Sequence, residues 1–393
     1  MAETIKVDHF ATTVRGLFLA PHPLPRESRE VPLLPLPLSS GAVAVAEVVS
    51  APEGCAVDRL EVIEPLAGSA DAWRTRETPL EPGWRLVVAL GGRSASRSLS
   101  GRGPERPVPP GGELDLLNVG GVTGLCSAPH GPVVKLRILG GVDRGGRAAL
   151  MRDLISIPGV GVPVDEDAVP STPLVLVTGS DMDVGKTTCA ASLALALRAA
   201  GIRVTYAKLT GTGRMRDLMR VNYGRATGFF DSARLAWDFV DTGLATTFEI
   251  PGEELRWHAR LLLGHAALHG EVVVAEVADA PCADGSIAAA TDPWLLSWLR
   301  QRGLVICACD TLGSTLIVHW IRSHMGIEEE DILISGVVAN DAALRREAER
   351  MTGAVLVNCT SPSGLSALGG KTAGGALADW VLRHIMSRRR VIA

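Results

Sequence analysis

Leu174-Val-Leu-Val-Thr-Gly179-Ser-Asp-Met-Asp-Val-Gly185-Lys186-Thr187-Thr188, continued by Cys-Ala-Ala-Ser-Leu-Ala-Leu-Ala-Leu-Arg198, is the stretch that decides the fold. An apolar run rich in β-branched residues enters a glycine, and an apolar-periodic stretch leaves from Gly-Lys-Thr, so the order is strand, loop, helix. A phosphate-binding loop requires that order. Its glycines let the backbone approach an anion, main-chain N–H groups and the helix N-terminus face the oxygens, Lys186 brings a point charge, and Thr187 brings a hydroxyl for Mg²⁺. A chance Gly-Lys-Thr in a surface turn would lack the flanking strand and helix.

Downstream, strand-like and helix-like segments alternate. The strand candidates are Arg203 to Lys208, Glu271 to Val277, Leu304 to Cys309, Ile332 to Asn340 and Ala354 to Val357. Continuous apolar strands of this kind predict an α/β fold with a mostly parallel sheet covered by helices, and a ligand at the carboxyl ends of the strands.

Upstream the texture changes. Ala42 to Val49, Val57 to Ile63, Trp84 to Leu90, Leu114 to Val119 and Val133 to Leu139 are short apolar segments separated by Gly, Pro and Ser clusters. They predict a smaller, mostly β N-terminal domain over 1–155, with a helix only at about Arg147 to Ile155. Residues 156–173, rich in proline and without periodicity, read as a linker, which leaves 174–393 as the nucleotide-binding catalytic domain.

Composition narrows the function classes. The chain has 393 residues, 47% hydrophobic content and a net charge of −4. Nothing global in that balance favours nucleic acid or an anionic membrane as partner. The seven cysteines form neither a disulfide framework nor a paired Cys-x-x-Cys pattern, and no apolar run reaches the length of a membrane span, so a reducing cytoplasm is expected.

Two side chains join the loop on the sheet's carboxyl edge. Lys208 ends the second strand in Ala-Lys-Leu-Thr-Gly-Thr-Gly213, bringing a second ammonium beside further backbone N–H groups. Glu276 ends the next long strand, where a carboxylate holds Mg²⁺ directly or through water, and Asp279 is placed to share that role. Asp231, Asp238 and Asp241 fall near one face if their segment is helical, so that either Asp231 or Asp238 adds a metal ligand or the face is merely solvated.

Three further features read mainly as structure. Gly91 to Arg106 is an arginine- and glycine-rich loop that suits an anionic substrate group but reads first as a solvated loop. His258, His265 and His269 share a helix face beside Trp257, Leu261 and Leu262, which fits an amphipathic side better than a metal set. Arg388 to Arg390 is a short basic tail that complements a helix dipole.

The loop spacing is specific. Five residues, Ser180 to Val184, separate Gly179 from Gly185, one more than the usual pattern. Gly-Ser-Asp-Met-Asp-Val-Gly-Lys-Thr thereby resembles the Gly-Thr-Asp-x-x-Val-Gly-Lys-Thr loop of the dethiobiotin synthetase-like superfamily of P-loop NTPases. The resemblance implies nucleotide contacts from Gly179, Ser180, Asp181, Asp183, Val184, Gly185, Lys186, Thr187 and Thr188. It also implies a catalytic role for Lys208 with Thr210 or Thr212, the latter preferred, although Leu209 replaces that family's proline. Glu276 retains the family's carboxylate without its following glycines. Asp310-Thr-Leu-Gly313 is similar to its Leu-Gly turn, and Gly336-Val-Val-Ala-Asn340 to its Gly-Val-x-x-Asn, where Asn340 would approach the base. Asp341 follows Asn340 directly, so the guanine signature Asn-Lys-x-Asp is absent and ATP is the expected nucleotide.

The expectation is thus a homodimeric Mg²⁺-ATP ligase that activates a small carboxylate, or a carbamate built from an amine, as an acyl phosphate before forming a C–N bond. Its expected catalytic residues are Lys186, Lys208 and Thr212, and its metal ligands Thr187, Glu276 and Asp238. A small-molecule kinase is the alternative. A nucleotide-switched regulatory ATPase is less favoured, because Ser180 to Asp183 lack the lysine that such proteins carry early in the loop.

Overall fold

The computed structural model describes residues 3–95, 98–128, 131–158, 168–224, 228–231, 233–359 and 375–392. Its C-terminal half is built on seven parallel strands. In chain order these are β1 (Leu174–Gly179), β2 (Val204–Lys208), β3 (Ala236–Asp238), β4 (Val272–Glu276), β5 (Gly303–Ala308), β6 (Ile332–Ser335) and β7 (Val355–Leu356). Across the sheet they run β3-β2-β4-β1-β5-β6-β7, and every neighbouring pair is parallel. Strands β1 to β6 are buried along their whole length, as expected of a parallel sheet with both faces covered. The phosphate loop therefore leaves a central strand, with β4 on one side and β5 on the other.

The covering helices are α1 (Lys186–Ala199), α2 (Met215–Tyr223), α3 (Gly252–His269), α4 (Pro293–Arg302), α5 (Thr311–Trp320), α6 (Ala342–Thr352) and α7 (Gly375–Ile392). Asp310 caps α5 by accepting from Gly313 N at 2.6 Å, and Asp341 caps α6 by accepting from Ala343 N and Leu344 N. α1 differs. It starts from Gly185 at φ 106° with no side-chain cap, which leaves its first N–H groups open toward the loop.

The N-terminal half is mostly β. Val43–Ser50, Arg85–Leu90 and Lys135–Val142 form the centre of a nine-stranded, largely antiparallel sheet. A second, three-stranded sheet joins Arg59–Pro65 and Trp73–Pro79 to Gly228–Phe230. That third strand belongs to the C-terminal half of the sequence, so the halves share a sheet.

Four local expectations need correction. The helix expected at Arg147 to Ile155 is a single 3₁₀ turn, Met151–Asp153. Asp153 turns back there to accept from Leu150 N and to pair with Arg147. The linker is packed at its start, where Ile157 is buried and Ser156 Oγ donates to Asp241 at 2.6 Å, while 159–167 lie outside the described residues. The carboxylate-bearing segment around Asp238 is not helical: β3 leads into a 3₁₀ turn, Phe239–Thr242. The turn is closed by Asp238 accepting from Val240 N and Asp241 accepting from Asp238 N. The strand expected to run to Asn340 stops at Ser335, because Gly336 turns the chain at φ 85° into a second 3₁₀ turn, Val337–Asn340.

Candidate nucleotide and acceptor site

At the carboxyl edge of β1, β2 and β4 lies a cavity of about 240 Å³ whose lining includes Met182, Asp183, Lys186 and Thr187 from the phosphate loop, Lys208 and Thr212 from the end of β2, and Glu276 and Asp279 from the end of β4. Thr187 Oγ donates to Glu276 Oε1 at 3.0 Å, and the Tyr206 hydroxyl donates to Glu276 Oε2 at 2.8 Å. Parallel register between β2 and β4 places Lys208 opposite Glu276, so one sheet edge carries both charges.

Lys186 Nζ folds back onto the carbonyl of Asp181, a position from which a phosphate oxygen would draw it. Burial lowers the Lys186 pKa, against the pull of Glu276 and Asp279. Lys208 behaves oppositely. Burial alone would depress it, but Asp217, which forms an ion pair with it, and then Glu276 outweigh burial and raise it. Glu276 itself is raised by burial, despite Lys208 and Lys186. The ion pair with Asp217 thus favours the charged form of Lys208, a support that Lys186, resting on a carbonyl, lacks.

The residues fit a magnesium nucleotide. Ser180 Oγ is buried and has no partner among the described residues, as a hydroxyl awaiting an anion would be. Thr187 and Glu276 supply adjacent hard oxygen donors, the set Mg²⁺ takes alongside phosphate oxygens. Thr210, by contrast with Thr212, is committed to structure, since its Oγ accepts from Ala278 N and from Ser286 Oγ.

Two expected residues are placed elsewhere. Asp238 does not line the cavity: its side chain is fully buried against Arg15 of the N-terminal half, beside Asp241 and Arg234, so it is not positioned as a metal ligand. Asn340 is exposed beyond the end of β6, after the turn at Gly336, and is not part of the lining. Asp231 is likewise absent from the lining.

Several lining residues were not singled out from the sequence. Arg214, Asp217, Thr246, Thr247, Asp284 and Ser286 come from loops and a helix start without a recognisable motif. Arg93 and Ser94 come from the arginine-rich loop, whose base is held by paired hydrogen bonds between Arg93 and Gly101 of 2.7 and 2.8 Å. A signal for Arg93 was present, since it follows Gly91-Gly92 at the end of an apolar strand and opens the arginine-rich loop that suits an anionic group. The histidines of α3 lie outside this cavity: His258 pairs with Thr242, and His265 stacks edge-on against Trp237.

No family model and no curated protein matches the sequence. Solved structures do. The chain is similar to the signal recognition particle 54 kDa protein from Aeropyrum pernix (17% identity, 62% of this chain, TM-score 0.31), of which it spans about half the length, 53%. It is similar to the hydrogenase maturation factor HypB from Archaeoglobus fulgidus (14% identity, 55% of this chain and 90% of that one, TM-score 0.31). It is also similar to a DUF1611 family protein from Anabaena variabilis (11% identity, 62% of this chain and 65% of that one, TM-score 0.36). The class rests on the molecule's own features. A central parallel strand, the Gly-Lys-Thr loop and a partnered carboxylate on the next strand make the C-terminal half a P-loop NTPase fold. No helix among the described residues is long and apolar enough to cross a membrane.

Proposed function

We propose that the protein is a Mg²⁺-ATP-dependent ligase-like enzyme that phosphorylates a small carboxylate or carbamate. The observation that carries this reading is the composition of one cavity: the phosphate-loop lysine, a second lysine and the Thr187–Glu276 pair share it with Arg93 and Ser94 of the N-terminal half. A site built only to bind and hydrolyse nucleotide needs no such second wall.

In this reading the acceptor carboxylate oxygen attacks the γ-phosphorus of ATP, the bond to the β,γ-bridging oxygen breaks, and ADP leaves. An amine then displaces phosphate from the acyl phosphate and forms the C–N bond. Lys186 and Lys208 face the charge that spreads over the transferring group, and the open N–H groups of α1 hold the phosphates in place. Thr187 and Glu276 would hold Mg²⁺, which neutralises phosphate oxygens when bound. Residues 1–155 act as the acceptor-side domain.

The test is release of ADP from ATP, or of GDP from GTP, across small carboxylates and amines, with and without bicarbonate. A substrate-stimulated signal lost in Lys186→Ala and Lys208→Ala supports the reading, and product mass separates an amide from a stable phosphorylated product, the kinase outcome. Turnover that no acceptor stimulates, or that survives in Lys208→Ala, would sink it.

A further inference from the structure

The cavity wall opposite the phosphate loop carries two guanidinium groups. Arg93 Nη1 donates to the Leu117 carbonyl at 2.7 Å and to Ser98 Oγ at 3.2 Å, which fixes its plane and leaves the rest of the fork for the cavity. Among the described residues Arg93 has no carboxylate within ion-pairing distance. Arg214 gives Nη2 to Glu77 of the N-terminal half at 2.7 Å, while its Nε is buried with no partner among the described residues. Burial, and next the charge of Arg214, hold Arg93 below its ordinary pKa, so the two cations sit within each other's field. Lys208 and Arg214 each already have a carboxylate partner, Asp217 and Glu77, whereas Arg93 has none among the described residues.

Two guanidinium groups lining one cavity, Arg93 with donors beyond its two hydrogen bonds and Arg214 with Nη2 held by Glu77, form a fork for a planar anion. We propose that Arg93 and Arg214 bind a second carboxylate of the acceptor, so that the substrate is a small dicarboxylate-type molecule held at one end while its other end faces Lys186 and Lys208. This inference rests on the phosphoryl-transfer reading for the identity of the reacting end. A cavity of about 240 Å³ suits a molecule of a few carbons between its two anionic ends. The arginines then select the acceptor, leaving phosphate binding to the loop.

Calorimetric titration of the full chain loaded with Mg²⁺ and the non-hydrolysable AMP-PNP tests this, with succinate, glutarate and adipate as probes beside their monoamides. At least one dicarboxylate should bind, its monoamide at least tenfold more weakly. Arg93→Gln and Arg214→Gln should each cost tenfold or more in dicarboxylate affinity, while AMP-PNP affinity stays within about threefold and the melting curve confirms folding. Arg93→Lys, which keeps the charge and loses the fork, should fall between.

No dicarboxylate binding by wild type, or full binding in either glutamine variant, overturns the paired site. A tenfold loss of AMP-PNP affinity in Arg93→Gln also overturns it, since the guanidinium would then serve the nucleotide phosphates. Failure of the underlying reading looks different: AMP-PNP binding would be absent, or indifferent to Lys186→Ala, and dicarboxylate titration without nucleotide would still decide the arginines.

Discussion

Lys208 and Asp238 sit side by side in register on β2 and β3, yet they belong to different systems. Lys208 reaches the cavity and Asp217, whereas Asp238 turns to Arg15. At this scale the lysines should separate by role. Lys186→Ala should weaken AMP-PNP binding by tenfold or more, and Lys208→Ala should keep nucleotide affinity within a few-fold while turnover drops about 10²–10³-fold, the range for removing one transition-state donor. Equal losses of nucleotide affinity in both variants would contradict the split. His258 and His265 give a pH prediction, because burial holds both near pKa 4. Between pH 6.5 and about 4 the unfolded chain takes up protons that the folded histidines refuse. Stability present above pH 6.5 is therefore lost as pH falls through that window, by up to about 1 kcal/mol per pH unit for each. Urea melts from pH 7 to 4.5 should show a shallower decline in His265→Phe than in wild type, and identical slopes would exclude His265 as a contributor.

Among the elements, α2 links the two halves. Glu61, buried on a strand of the smaller sheet, accepts from Met215 N at 2.7 Å, Arg216 N at 2.8 Å and Thr12 Oγ at 2.7 Å, and so caps α2 from outside its own half. α2 carries Asp217, and Arg214 precedes it, so this cap fixes two charged groups of the cavity. Glu61→Ala leaves three donors without their acceptor and should cost about 2–3 kcal/mol of stability. It should also reduce turnover more than AMP-PNP affinity, as measured by denaturant melts beside steady-state rates. Unchanged turnover in a folded variant would disconnect the cap from the site. The phosphate loop has a comparable support in Gly336, where a Cβ would lie 2.4 Å from the Val184 carbonyl.

For the whole molecule, the halves are joined by a buried cluster of Arg15, Asp238, Asp241 and Arg234, with Arg15 Nη2 to Asp241 Oδ2 at 2.9 Å and Arg234 Nη2 to Asp241 Oδ1 at 2.6 Å. Burial opposes ionisation of Asp241, but Arg15 and Arg234 outweigh it and hold its pKa well below the usual carboxylate range. Arg15→Met leaves buried carboxylates uncompensated and should cost about 3–5 kcal/mol. Since the halves share a sheet and this cluster, unfolding should remain one cooperative transition in calorimetry, and two resolved transitions would show that the halves melt separately.

Local pattern sufficed for the phosphate loop, six of the seven strands of the parallel sheet (β3 was expected to be helical) and the β-rich character of residues 1–155, because each depends on residues near in sequence: β-branched runs, Gly-Lys-Thr before a helical period, turn clusters between short strands. Lys186, Thr187, Lys208, Thr212 and Glu276, all on the cavity lining, were legible for the same reason: Lys208 and Glu276 end strands, Thr212 follows one, and Lys186 and Thr187 open the helix after the phosphate loop, at the carboxyl edge the fold class fixes. Tertiary structure alone decided the rest. Asp238 looked like a metal ligand until Arg15, 223 residues away in sequence, was brought against it. Arg93 looked like part of a solvated loop until the folded chain placed it on the lining of the cavity, and α2 receives its cap from Glu61, 154 residues upstream of Met215. Pairings of buried charges are set by which surfaces meet, and no local periodicity encodes the partner of a side chain that is satisfied across a domain boundary.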